Sequence, residues 1–247
     1  MIRLRLCLAL VCTLGSIVAF PSGAEDLRLT ASTWPPYVDD KLYRNGFAIA
    51  LVSDALERAG YKTSMVVEPW PKALQGTQIG DYDIYCSLWF TNERATTLAF
   101  SAPYIDNQIT FVKRSDSDFQ FRDRTDLNGL RIGIVNDYAY SEQAYDTTGI
   151  EIMEAGNVRE NIGRLLSGDI DLVLADRRVA LYEINDLMAA KKFTVLPQPL
   201  NTRGLRIAVS NKRADRREII AAFEAAIAAM KDDGTYNTIL ANFRVSY

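Results

Sequence analysis

Leu27-Arg28-Leu29-Thr30-Ala31, then residues 47–59, then Thr63–Val67, is the stretch whose reading decides the fold. The first run is short, apolar and extended in character. Residues 47–59 place Leu51, Val52, Ala55, Leu56 and Ala59 on one helical face, with Gly60 as the stop. Thr63–Val67 is again β-branched and apolar. Strand, helix, strand predicts two parallel strands with the helix laid across them, and so an α/β protein.

Working outward, Asp83–Leu88 and Ile109–Lys113 read as a third and a fourth strand. Residues 114–126 (RSDSDFQFRDRTD) are polar, with little periodicity, and the pattern then restarts. Leu130–Val135 is a strand, 158–166 an amphipathic helix through Val158, Ile162, Leu165 and Leu166, and Ile170–Ala175 a buried strand. Residues 177–190 read as a helix and Phe193–Leu196 as a strand. A third passage follows: strand Leu205–Val209, a helix over 216–232 ended by Gly234, and a short amphipathic turn through Tyr236, Ile239, Leu240 and Phe243. No short internal repeat is read.

The N-terminus sets the compartment. Arg3 and Arg5 precede a mostly apolar Leu6–Phe20, and Pro21-Ser22-Gly23-Ala24 fits cleavage after Ala24. Residues 1–24 are therefore expected to be a cleaved secretory signal and the protein periplasmic, since the apolar run is short for a membrane span. The signal carries two of the 28 basic residues and none of the 31 acidic ones, so the mature chain is more acidic than the formal charge of −3. That balance argues against nucleic acid, which wants a concentrated basic surface. Cys7 and Cys12 leave with the signal, and Cys86, expected to be buried and inert, has no partner for an internal disulfide.

With no histidine and one mature cysteine, the usual zinc and copper sites and Ser-His-Asp or Cys-His catalysis are out of reach. No cofactor is expected. The chain's end at Tyr247 speaks against a fused sensor module, although an independent module feeding a separate receptor is an alternative.

Three segments carry candidate chemistry. Trp34-Pro35-Pro36-Tyr37 follows the first strand, where α/β sheets bind ligands, and its prolines limit the entropy lost on binding. Ser87-Leu88-Trp89-Phe90-Thr91-Asn92-Glu93-Arg94 follows the third, and an arginine there can present its planar fork to a carboxylate. Gly168-Asp169-Ile170-Asp171-Leu172-Val173-Leu174-Ala175-Asp176 ends a buried strand on an acid, placed either to meet a cation or to cap the helix that follows.

Together with "FSAPY" (100–104) and "LNGLRIGIV" (127–135), these segments resemble the bacterial extracellular solute-binding proteins of family 3, over about Leu27–Phe243. The resemblance implies a type II two-lobed, Venus-flytrap fold, each lobe a mainly parallel sheet flanked by helices. Lobe one would be 25–112 with 205–247 and lobe two 113–204, with crossovers near 112–116 and 200–205. It implies a small-molecule ligand, an amino acid or related carboxylate or amine, and an inner-membrane ABC transporter permease as partner of a monomer. It also implies roles: Arg94 for the α-carboxylate, Asp176 for the α-amino group, Ser87 near the ligand, Trp34 and Trp70 as walls. Tyr37, Trp89 and Tyr138 complete the expected ligand-binding set. Two departures stand out. Trp89 replaces a small hydroxyl residue, and Ala139 supplies no hydroxyl in the loop Asn136–Tyr140. The alternative on the same fold is a dehydratase-like enzyme with Asp137, Glu142 or Asp176 as general acid.

Overall fold

The computed structural model describes residues 26–140 and 149–243. The signal segment and Glu142 lie outside the described residues.

The first half of the chain runs β1 (Asp26–Ala31), α1 (Phe47–Arg58), β2 (Lys62–Val67), α2 (Trp70–Ile79) and β3 (Ile84–Trp89), with β4 (Leu98–Phe100) after it. A ten-residue strand, β5 (Ile105–Arg114), leads into β6 (Arg131–Val135), β7 (Glu151–Ala155), α3 (Val158–Ser167), β8 (Leu172–Asp176), α4 (Arg177–Asp186) and β9 (Phe193–Val195). The chain returns through β10 (Asn201–Ser210) and finishes with α5 (Arg216–Asp232) and α6 (Thr235–Asn242).

The strands are ordered β2-β1-β3-β10-β5-β8-β6-β7, with β4 beside β10 and β9 beside β5. Read outward from the centre, each half has the same plan. β10 lies antiparallel to the parallel trio β3-β1-β2, and β5 lies antiparallel to the parallel trio β8-β6-β7. This is the two-lobed type II architecture, and its βαβ units carry the parallel pairs as the periodicity predicts. The trio strand β3 is buried at every position, as a strand covered on both faces must be.

The lobes meet where β5 and β10 pair with each other, Ile105↔Leu205 to Ile109↔Asn201. Beyond that ladder each strand changes partner: β5 joins β8 from Ile109, and β10 joins β3 from Leu205.

Three local choices set the first lobe's binding edge. Gly46 caps α1 at φ 96°, and a side chain there would put its Cβ 2.4 Å from the Tyr37 carbonyl, so only glycine lets α1 start against this loop. The loop closes on itself through Trp34 N–H to the Val38 carbonyl (2.7 Å) and Val38 N–H to the Trp34 carbonyl (3.0 Å). At α2, Pro69 is the N-cap and Trp70 and Pro71 are the first helical residues; a proline in the first turn gives up no intrahelical hydrogen bond.

Candidate functional site

The parallel strands of both trios point their carboxyl ends at one cavity of about 360 Å³ between the lobes. The first lobe contributes Ser32, Thr33 and Trp34 after β1, Trp70 and Pro71 opening α2, and Tyr85, Ser87, Leu88 and Trp89 from β3, with Arg94 just beyond. The second contributes Val135 to Ala139 after β6 and Gly156 and Asn157 before α3. Tyr85, Ser87 and Trp89 reach the cavity together because alternate residues of a strand share a face.

Arg94 sits half-buried behind this face. Its backbone N–H donates to Thr91 Oγ1 (3.1 Å) and Nη1 to the Trp89 carbonyl (2.9 Å), while the guanidinium carbon lies 4.9 Å from the Trp70 ring centroid. Those contacts hold the fork in place; among the described residues no carboxylate forms an ion pair with it, although the charges of Glu93 and Asp137 act on it at longer range. Burial pulls its pKa down, although arginine keeps its proton in proteins.

Three rings stand nearly perpendicular to one another across the cleft. Trp34 is 5.4 Å from Trp89 at 88° and 6.0 Å from Tyr138 at 86°, and Trp89 is 5.7 Å from Tyr138 at 86°. This edge-to-face geometry suits aromatic quadrupoles, and it joins the lobes by apolar contact. Trp34 Nε1 is buried with no hydrogen-bond partner among the described residues.

Of the eight residues expected at the ligand, the structure brings Trp34, Trp70, Ser87, Trp89, Arg94 and Tyr138 to the cavity wall. Tyr37 and Asp176 do not line it, which corrects their expected placement. Both are fully buried. The Tyr37 ring stacks on the back of Trp34 at 4.4 Å and 18°, and its hydroxyl donates to Asp176 Oδ1 (3.0 Å). Asp176 Oδ1 also accepts the N–H groups of Arg178 (2.9 Å) and Val179 (3.0 Å), making it the N-cap of α4. Its Oδ2 accepts from Asn107 Nδ2 (2.9 Å), and Asn107 Oδ1 accepts from Trp89 Nε1 (3.1 Å). Burial pushes the Asp176 carboxyl above the usual range, against the hydrogen bonds that favour its ionised form.

Tyr85 on the wall and Asn107 behind it escape a sequence reading. Tyr85 lies inside the apolar strand β3, and its hydroxyl bonds Ser32 Oγ at 2.8 Å. Asn107 lies on the β5–β10 ladder, where polarity alone gives no signal. Period-two counting back from Trp89 finds Tyr85; nothing in the sequence pattern finds Asn107. Asp137, considered for catalysis, does line the cavity, with φ 60° on the loop after β6.

The comparisons agree with the fold. The arginine-binding protein 1 of an ABC transporter from Escherichia coli (strain K12) is 26% identical over 242 residues, covering 94% of this chain and 96% of that protein. The lysine/arginine/ornithine-binding periplasmic protein of the same organism is 24% identical over 248 residues, covering 96% and 93%. The solved structure of an ancestral arginine-binding protein bound to glutamine superposes with a TM-score of 0.73 at 23% identity, covering 91% of this chain and all of that one. A model of the family described as bacterial extracellular solute-binding proteins, family 3, matches residues 29–245, and the chain belongs to that family.

Proposed function

We propose that the protein captures a small carboxylate, an amino acid or a close relative, in the periplasm and presents it as a monomer to an inner-membrane ABC permease. The observation that carries this reading is Arg94, fixed by Trp70 and Trp89 and without an acidic partner among the described residues, at the wall of a cavity shared by two lobes. A ligand touching both walls favours closure by the difference in its affinity for the closed and open states. The relatives' printed functions support an amino-acid-like ligand and periplasmic placement. The export signal at 1–24 belongs to the same reading, and among the described residues no helix is long and apolar enough to cross a membrane.

We draw the lobes as 25–112 with 205–247 and 113–204. The strand pairing supports placing the first crossover slightly earlier, at 105–109, opposite the second at 201–205.

Binding rather than turnover is the reading of the carboxylates. Asp176 is behind the wall and occupied as a helix cap, and Asp137 lines the cavity without a second acid beside it among the described residues. The test begins with a metabolite panel screened by thermal shift, since a ligand of the folded state raises its stability with the logarithm of concentration over Kd. Arg94→Ala should then weaken the best carboxylate by about 2–5 kcal/mol in calorimetric titration. Unchanged affinity in the folded variant overturns the carboxylate role.

A further inference from the structure

We propose that the cavity is built for an aromatic or otherwise apolar organic acid that carries no ammonium beside its carboxylate, rather than for an α-amino-acid zwitterion. This rests on the carboxylate role of Arg94.

An α-amino acid carries its ammonium one carbon from the carboxylate, so a carboxylate seated on Arg94 brings the ammonium in beside it. What lies there is poorly suited to a second cation. The guanidinium repels it, the Trp89 carbonyl already accepts from Arg94 Nη1, and the Tyr85 hydroxyl is joined to Ser32. A buried ammonium needs a compensating acceptor or anion, because desolvation of an unpaired charge is costly.

The two acids that could serve are badly placed. Asp176 stands behind the wall with both oxygens occupied, and the hydrogen bonds from Trp89 to Asn107 and from Asn107 to Asp176 put the indole on the cavity side and the carboxylate behind it. An ammonium would reach it only by displacing Asn107 or Tyr37. Asp137 is exposed on the opposite lobe, where water competes with any ion pair.

The wall instead offers donors. Arg94 is joined there by Ser87, whose hydroxyl can donate as well as accept. The ten-residue helix α3 also starts at the cavity edge, where Asn157 caps it and the Glu160 carboxylate already accepts the Gly156 N–H. Beyond these donors, Trp34, Trp70 and Tyr138 supply ring surface for an apolar body.

Matched pairs test this by calorimetric titration of the purified protein: phenylpropanoate against L-phenylalanine, indolepropanoate against L-tryptophan, methylpentanoate against L-leucine. Each acid lacking the amino group should bind about tenfold more tightly than its partner, the ratio that one poorly compensated polar group produces. Asp137→Asn should tighten binding of the acids about two- to fivefold by removing a like charge. Asp176→Asn should leave the ratio within each pair unchanged, whatever it does to the melting temperature. Tighter binding of the amino acids overturns the inference, and if Arg94→Ala then abolishes that binding the carboxylate role survives alone. Loss of amino-acid preference on Asp176→Asn would likewise place that acid at the ligand and overturn the inference. Binding by none of the six overturns the inference and the carboxylate role together.

Discussion

The two lobes tie their sheets with the same clamp, and they differ in what else grips it. In the first, Arg28 donates from its backbone N (2.8 Å) and Nε (3.1 Å) to Asp83 Oδ2 and from Nη2 to the Gly80 carbonyl (2.8 Å). In the second, Arg131 donates from its N (2.9 Å) and Nε (3.1 Å) to Asp171 Oδ2 and from Nη2 to the Gly168 carbonyl (2.9 Å). The acids end matching segments, Gly80-Asp81-Tyr82-Asp83 and Gly168-Asp169-Ile170-Asp171, each opened by a left-handed glycine that terminates a helix. The side chain of Asp83 is only 6% exposed and takes a second cation, Arg213 Nη1 at 3.2 Å, whereas that of Asp171 is 36% exposed. Arg213 arrives between β10 and α5, so the returning chain buries one clamp and leaves its counterpart near water. One βαβ design, used twice, thus acquires different stability from its surroundings.

Removing the buried acid should show the largest difference. Asp83→Ala removes the buried acceptor shared by Arg28 and Arg213, although Arg213 keeps Asp215, and should cost about 3 kcal/mol in denaturant unfolding, the low end for a broken buried pair. Asp171→Ala should cost about 1 kcal/mol or less, in the range of exposed pairs. Equal costs would break the comparison.

A second contrast is that all three tryptophans lie on the first lobe. Trp89, 5% exposed and bonded to Asn107, should behave as core, and its replacement by alanine should cost about 3–5 kcal/mol. Trp34 and Trp70 are only partly buried. Their truncation should lower ligand affinity, measured by intrinsic fluorescence titration, more than it lowers unfolding free energy. A greater loss of stability than of affinity for both would make them structural.

Acid should loosen both clamps. For Asp83 burial raises the pKa, but the hydrogen bonds from Arg28 and Arg213 outweigh it and hold the carboxyl below its ordinary value. Asp171 is lowered chiefly by its hydrogen bond from Arg131. A depressed carboxylate stabilises the fold fully above its unfolded pKa, about 3.9, and that contribution fades as pH falls through the folded value. Stability should therefore decline below about pH 4, and Asp83→Asn and Asp171→Asn should each flatten the decline. The smallest signal belongs to Cys86, fully buried in β3 with its thiol pKa pushed up by burial, which should react with a thiol reagent only as fast as the protein opens.

The βαβ units were legible because their apolar periodicity is strong, and α1, α3 and α5 begin within a residue of where the pattern puts them. The helix expected over 177–190 stops at Asp186, since Leu187 is its C-cap and Met188 turns left-handed at φ 51° with 94% exposure. Helix α2 went unread because Pro69 and Pro71 look like breakers, although they occupy an N-cap and a first turn. β7, Glu151-Ile152-Met153-Glu154-Ala155, carries two acids and no strand-like alternation of burial. The matching Gly-Asp-x-Asp segments were in plain view but too short to signal a repeat without the clamp they serve. At the site, residues at strand ends were legible. The retreat of Asp176 behind the wall was not, because it depends on Asn107 and Tyr37, far away in sequence.

The ladder between β5 and β10 makes the second lobe an insertion. Ile105 and Leu205, at the first-lobe end of that ladder, are paired neighbours on antiparallel strands. A short hairpin turn could bridge that gap, so the gene could exchange, shorten or graft everything between without cutting another connection of the first lobe. The half that holds Arg94 and the tryptophans is thus continuous on either side of the ladder, with Tyr37 and Asn107 still bonded across to Asp176.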